Sequence, residues 1–221
     1  MKKAEAAANV RRPRGRPRSF DQAQALERAM EVFWDKGFEA TSMADLTKAM
    51  GINPPSLYAA FGDKEQLFLA AVERYMSMQG DDCPYRDEPT AEESVRRLLT
   101  YMASQLTGSG HPKGCLMVMA TATSASASQK LQGALAKMRG EGRALLKERI
   151  ERGIREGELD PGTDATELAD FYSTILAGMS LRAKGGTTRK SLMATVESAM
   201  RAWPRRTKSR AQSSRATAAA D

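Results

Sequence analysis

The chain has 221 residues, 41% hydrophobic and 28% charged, with a formal net charge of +7, a composition that fits a globular chain with a real core and argues against disorder as its default. Residues 1–18 carry seven Lys/Arg against one Glu and residues 201–221 six against one Asp, which leaves the body between them net negative by four; basic ends on an acidic body point to polyanion contact at particular places, not to a uniformly basic coat. No apolar run approaches the ~18 residues of a membrane span, and the basic start MKKAEAAANVRRPRGRPR lacks the apolar core of a signal peptide, so a cytoplasmic protein with no membrane partner is expected.

In chain order, Phe20 to Lys36 places Leu26, Ala29, Met30, Phe33 and Trp34 at helical spacing, and Gly37 stops that helix. Thr41 or Ser42 then caps a second helix with Met43, Leu46 and Met50 on one face, broken at Gly51. Asn53 is the natural cap for a third, Pro54 to Phe61, because proline suits a first helical turn, whose N–H groups have no intrahelical partner. Gly62 ends it, and Asp63 caps a helix from Lys64 to about Gln79. Helix, Gly turn, short helix is a helix-turn-helix, with Leu46, Met50, Ile52 and Leu57 supplying the lock. Thr47, where a smaller Ala would pack more easily, is a mild departure.

Beyond residue 79 the chain reads as helices separated by breaker clusters. GDDCPYRDEP is a loop, Thr90 caps 91–107, and GSGHPKG ends that helix; GCLMVMATATSAS is apolar and small. Ser128 opens 129–159, DPGTD closes it, Asp164 or Thr163 starts 165–186, and TRKSLMATVESAMRAW is the last helix. The tail from Pro204 lacks apolar periodicity and is expected to be disordered. No β pattern or internal repeat is present, so the fold class is all-α. Cys83 and Cys115 fit no metal spacing and read as free thiols.

The run from Phe20 to Val72, with GFEATSMADL and AMGINPPSLYAAFGDKEQLF behind a basic arm, resembles the DNA-binding domain of TetR-type bacterial transcriptional regulators. The resemblance is specific over the first third of the chain and architectural beyond it. It implies an all-α homodimer: an N-terminal three-helix DNA-binding domain, then a larger helical domain that binds a small effector and dimerises. The organisation expected is a flexible basic arm at 1–18, a helix-turn-helix domain at 19–64, a ligand-binding and dimerisation domain at 65–203, and a basic tail at 204–221. Such a regulator would associate with the nucleoid when bound to double-stranded operator DNA.

On that resemblance, Pro54 to Phe61 is the recognition helix, anchored by Leu57 and Phe61, with Pro55, Ser56, Ala59 and Ala60 toward the DNA. Tyr58 and Lys64 would each contact a phosphate, and Thr41 and Ser42 would set a hydroxyl and free N–H groups against the backbone, besides capping. Alanines offer apolar contact to thymine methyls and no base-edge hydrogen bond, so specificity needs other sources. Ser56 is one; the arm around Arg14, Arg16 and Arg18, whose RGRP core resembles a minor-groove hook, is another.

Leu168, Phe171, Tyr172, Ile175, Met179 and Leu181, followed by Leu192, Val196 and Met200, give the last two helices more apolar surface than one layer needs, and the resemblance assigns it to the dimer. Candidate pocket residues are Tyr101, Met102, Met117, Met119, Met138, Phe171 and Ile175. His111 reads as an exposed loop residue, and Cys115 is a candidate sensor of oxidants or electrophiles if exposed. With one His, no Gly-rich phosphate loop and no acidic cluster at metal spacing, an enzyme is not expected, and neither a cofactor nor a metal is implied. The expectation is a ligand-responsive repressor; the alternative is a constitutive dimeric DNA-binding protein without an effector.

Overall fold

The computed structural model describes residues 20–78 and 88–206. Among them the chain forms nine α-helices and no strand: α1 (Gln22–Lys36), α2 (Met43–Met50), α3 (Pro54–Phe61), α4 (Lys64–Met78), α5 (Ala91–Leu106), α6 (Leu116–Ala122), α7 (Gln129–Arg155), α8 (Ala165–Lys184) and α9 (Arg189–Met200). The arm with Arg14, Arg16 and Arg18, Cys83, and the tail from residue 207 lie outside the described residues.

Local chemistry sets most of the helix starts. Asp21, Ser42, Asn53, Thr90, Ser128, Asp164 and Thr188 each accept a backbone N–H with their side chains at the N-caps, an arrangement worth ~1 kcal/mol each. Ser42 and Asp45 form a reciprocal capping box, and Asp63 and Gln66 do the same before α4. Gly51 ends α2 in the left-handed conformation (φ 68°, ψ 29°), which turns the chain into α3 without the clash a Cβ would bring.

Two apolar clusters hold the molecule. The first joins α1–α4 to α6 and the start of α7, with Phe33, Leu46, Leu57, Leu67 and Phe68 fully buried. Phe68 meets Phe33 edge-on at 4.8 Å between centroids and Phe38 at 4.9 Å, contacts that add ~0.5–1.5 kcal/mol per pair beyond burial. The second cluster joins α5, the later part of α7, α8 and α9 around Leu99, Leu106, Ile150, Tyr172 and Leu192.

The end of α1 is fastened to the rest of the chain at several points. Gly37 lies so close to α6 that a Cβ there would meet Thr123 Oγ1 at 2.7 Å, and Phe38 N–H donates to that oxygen at 3.0 Å. Lys184, in the last turn of α8, donates to Asp35 O at 2.7 Å and pairs with its carboxylate at 3.0 Å, which sets an ammonium against the negative end of α1. Trp34 Nε1–H donates to Gly114 O at 3.1 Å in a buried setting. Glu65 accepts from Ser128 N and Oγ, and Glu39 from Ser126 N.

Candidate nucleic-acid interface

The stretch PPSLYAAF cannot hold a helix alone at two turns. Leu57, fully buried, pins it to the first cluster with half-buried Phe61 packed alongside. Asn53 Oδ1 accepts Ser56 N–H at 2.8 Å and fixes its start, while Gln22 Nε2 donates to Ala60 O at 3.3 Å near its end. What remains outward is Pro54, Pro55, Tyr58 and Ala59, with Ser56 and Ala60 half-exposed. Tyr58 is 51% exposed, unusual for so large an apolar ring.

The flanking polar residues fall in two groups. Ser42 is exposed at the start of α2, where its hydroxyl donates to Asp45 Oδ2 at 2.7 Å and accepts Asp45 N–H at 3.1 Å. Thr41 is buried, and its Oγ1 donates to Gly37 O at 2.6 Å, so its hydroxyl serves the turn and Ser42 alone makes the cap. Lys64 opens α4 with its ammonium over the Phe38 ring, 4.5 Å from the centroid; partial burial lowers its pKa, countered by Glu39. Exposed Lys48 in the last turn of α2 and Arg28 beside Gly51 add cations that the sequence reading passed over. Lys48 precedes the turn by three residues and was open to the sequence; Arg28 lies on α1, and only packing brings it to Gly51. Lys36 is occupied by Asp45 at 2.7 Å, which, with the Ser42 bonds, holds that carboxyl far below the usual carboxylate range.

Of the residues expected to line a pocket, the structure brings Tyr101 and Met102 together and disperses the rest. Both border a cavity of about 310 Å³ whose other walls are α1, α4 and the loop before α6. Met117 is buried in the first cluster and Met138 packs against it; Met119 is half-buried on α6. Ile175 packs against the second cluster, and Phe171 is 40% exposed on α8 beside a separate depression. Helical spacing placed these residues on α6–α8, but their faces turn to different neighbours. His111 is not the free loop residue its sequence context suggests: it stacks on Trp34 at 4.9 Å with the rings 14° from parallel. Cys115 is a half-buried thiol that accepts the Tyr75 hydroxyl at 3.4 Å and touches both clusters.

The apolar residues of the last two helices divide in the same way. Tyr172, Met179, Leu192, Val196 and Met200 are buried in the chain's own core. Phe171 and Leu181 (51% exposed) stay outside on α8, with Gly178 between them in open space. Among the described residues no group of His, Cys, Asp and Glu could hold a metal ion, and no helix is long and apolar enough to cross a membrane.

Comparison with known proteins agrees with this geometry. Residues 25–71 match the family model "Bacterial regulatory proteins, tetR family", and residues 91–200 match "Tetracyclin repressor-like, C-terminal domain". The chain is similar to the HTH-type transcriptional repressor ComR of Escherichia coli (strain K12), 33% identical over 198 residues covering 88% of this chain and 94% of ComR. It is 30% identical to the repressor BdcR of the same organism over 82% of this chain and 88% of BdcR. Among solved structures, a cysteine mutant of the TetR family transcriptional regulator CifR, complexed with 26-bp double-strand operator DNA, superposes with a TM-score of 0.80 at 47% identity, over 86% of this chain and all of that one. With an exposed two-turn helix seated on a helix-turn-helix frame and these relatives along nearly its whole length, the chain belongs to the tetR family of bacterial regulatory proteins and is a DNA-binding transcriptional regulator, not an enzyme.

Proposed function

We propose that the chain acts as a homodimeric repressor that reads a palindromic operator and releases it when a small apolar or amphipathic molecule binds the larger helical region. The observation that carries the reading is the outer face of α3: a helix too short to stand alone is held by Leu57 and presents Pro55, Ser56, Tyr58 and Ala59 outward. Ala59 would meet thymine methyls, Tyr58 and Lys64 phosphates, and Ser42 the backbone at the start of α2. Lys64 would have to leave the Phe38 ring to do so, and Thr41 would act through the turn it ties. Residues 1–18, with Arg14, Arg16 and Arg18, would add minor-groove contacts ahead of a reading head at 19–64; residues 65–203 would form the effector and dimer domain and 204–221 a basic tail.

The outward Phe171 and Leu181 on α8 support dimerisation through the last two helices, since two half-sites about one or more DNA turns apart require two recognition helices. Effector binding would act through α1. Its far end is held by Thr123, Lys184 and Gly114, and its near end shares the first cluster with α3. A ligand favouring another setting of α1 respaces the two recognition helices, and one that binds both settings equally has no effect.

Selection of bound sequences from a random DNA pool at two salt concentrations tests the reading. A palindromic motif whose affinity falls with salt is expected; sequence-blind binding that vanishes with salt would remove the operator from the scheme.

A further inference from the structure

The cavity between α1, α4, α5 and the 108–114 loop has one-sided chemistry. Its walls are mainly aromatic and thioether: Trp34 from α1 meets Tyr75 of α4 edge-on at 4.9 Å and carries His111 stacked on it, and Tyr101, Met30, Met78 and Met102 line it beside Gln105, Leu106 and the backbone of Gly110 and Gly114. Electron-rich rings and polarizable sulfur favour a diffuse positive charge on an apolar body. Burial and the neighbouring Cys115 thiol push the Tyr75 hydroxyl well above its ordinary pKa, so that ring stays neutral. Glu31 on α1 is the one charged residue among the described lining residues, and no Lys or Arg joins it. Its carboxylate is exposed and makes no ion pair with a described residue, whereas Glu27, one turn earlier on α1, is paired with Arg74 at 2.6 Å. At about 310 Å³ the cavity lies at the small end of ligand sites.

We infer that this cavity is a binding site for a small amphipathic organic cation, with Glu31 at its rim opposing the charge and the rings and thioethers enclosing the apolar part. The inference names a ligand class for the effector proposed above and rests on that reading. It also puts the ligand against the reading head, because Met30, Glu31 and Trp34 belong to α1, which packs on α2 and α4, the helices that hold α3. A molecule seated there separates α1 from α5 without any relay through the interior.

The test is titration of the full chain with three probes of matched shape: phenyltrimethylammonium, its neutral isostere tert-butylbenzene and the anion benzenesulfonate, followed by calorimetry and Trp fluorescence. Phenyltrimethylammonium is expected to bind about tenfold more tightly than either comparator. Glu31→Gln, a change on an exposed helix surface, should weaken the cation roughly three- to tenfold and leave tert-butylbenzene unchanged. No cation binding, equal or tighter binding of the neutral or anionic probe, or indifference to Glu31→Gln overturns the assignment. Operator affinity of the cation complex is read separately: Glu31-dependent binding that leaves operator affinity unchanged keeps the cation site and removes its effector role.

Discussion

Helix α7 contains four glycines, and the structure gives the same substitution opposite signs along it. A Cβ at Gly140 or Gly142 would enter open space, whereas at Gly153 it would meet the Ala91 Cβ at 2.8 Å and Glu158 Oε2 at 3.1 Å. Alanine in an exposed helix interior is worth ~0.5–1 kcal/mol over glycine. The double variant Gly140→Ala/Gly142→Ala should therefore gain ~1–2 kcal/mol, a rise of about 2–8 °C in Tm for a chain of this size. At Gly153 the same gain is opposed by overpacking of ~1–3 kcal/mol, because Ala91 is fully buried and its Cβ cannot move without α5. Glu158 also accepts Ala91 N–H there, so the intrusion would loosen the cap of α5. Gly153→Ala is expected to fall ~1 kcal/mol below the parent. Urea and thermal unfolding of the three proteins measure both changes. A destabilised double variant would mean that α7 is not a continuous exposed helix at 140–142; a Gly153→Ala protein as stable as the parent would refute the close α5–α7 approach. The outcome bears on function because 140–142 lies between the part of α7 in the first cluster (Leu131, Leu135) and the part in the second (Leu146, Ile150).

Five other outcomes are expected. Asp45 is held low by Lys36 first and Ser42 second, so its contribution to stability is present above its unfolded pKa of ~3.9 and is lost as pH falls through the folded value; Asp45→Asn should lower stability at pH 7 and flatten the acid limb of the unfolding profile, and unchanged acid limbs would count against the pairing. Tyr58→Phe should weaken operator binding roughly two- to tenfold without changing the selected sequence, while Lys64→Gln should reduce the salt slope of binding by about one; a changed motif in either would contradict phosphate contact. Phe171→Glu or Leu181→Glu should convert the proposed homodimer to monomer in light scattering and weaken operator binding with it, and a dimer that persists in both variants would move the interface elsewhere. Arg149 is buried beside Ser94 at 2.8 Å and Glu158 at 3.6 Å; Glu158→Gln should cost ~3 kcal/mol in urea unfolding by leaving that cation uncompensated.

The helix boundaries were legible in the sequence wherever the deciding chemistry lies within a few residues. Asn53-Pro54-Pro55, Ser42 with Asp45, and Thr90, Ser128 and Thr188 each announce a start by a cap their own backbone uses. The exposed face of α3 followed from Leu57 and Phe61 lying four apart. Helix α6 carries no such mark: Cys115 at its N-cap makes no side-chain cap bond, and GCLMVMATATSAS reads only as apolar and small. Its helix exists because Leu116 and Ala120 are fully buried against neighbours far along the chain. Which face of an apolar helix meets which neighbour is likewise a long-range matter. Periodicity told that Trp34 and Met30 share a stripe, but only packing made that stripe one wall of a cavity with Tyr101 and Met102 and drew His111 onto Trp34. The same holds on α8, where adjacent residues Phe171 and Tyr172 part company: Tyr172 enters the core with its hydroxyl donating to Ala199 O at 3.2 Å, and Phe171 is left outside. The sequence alone thus determined the elements and the exposed face of α3, since caps, turns and helical spacing act over one or two turns. The cavity, the fastening of α1 and the free face of α8 were decided by tertiary structure, since each depends on residues that only packing brings together.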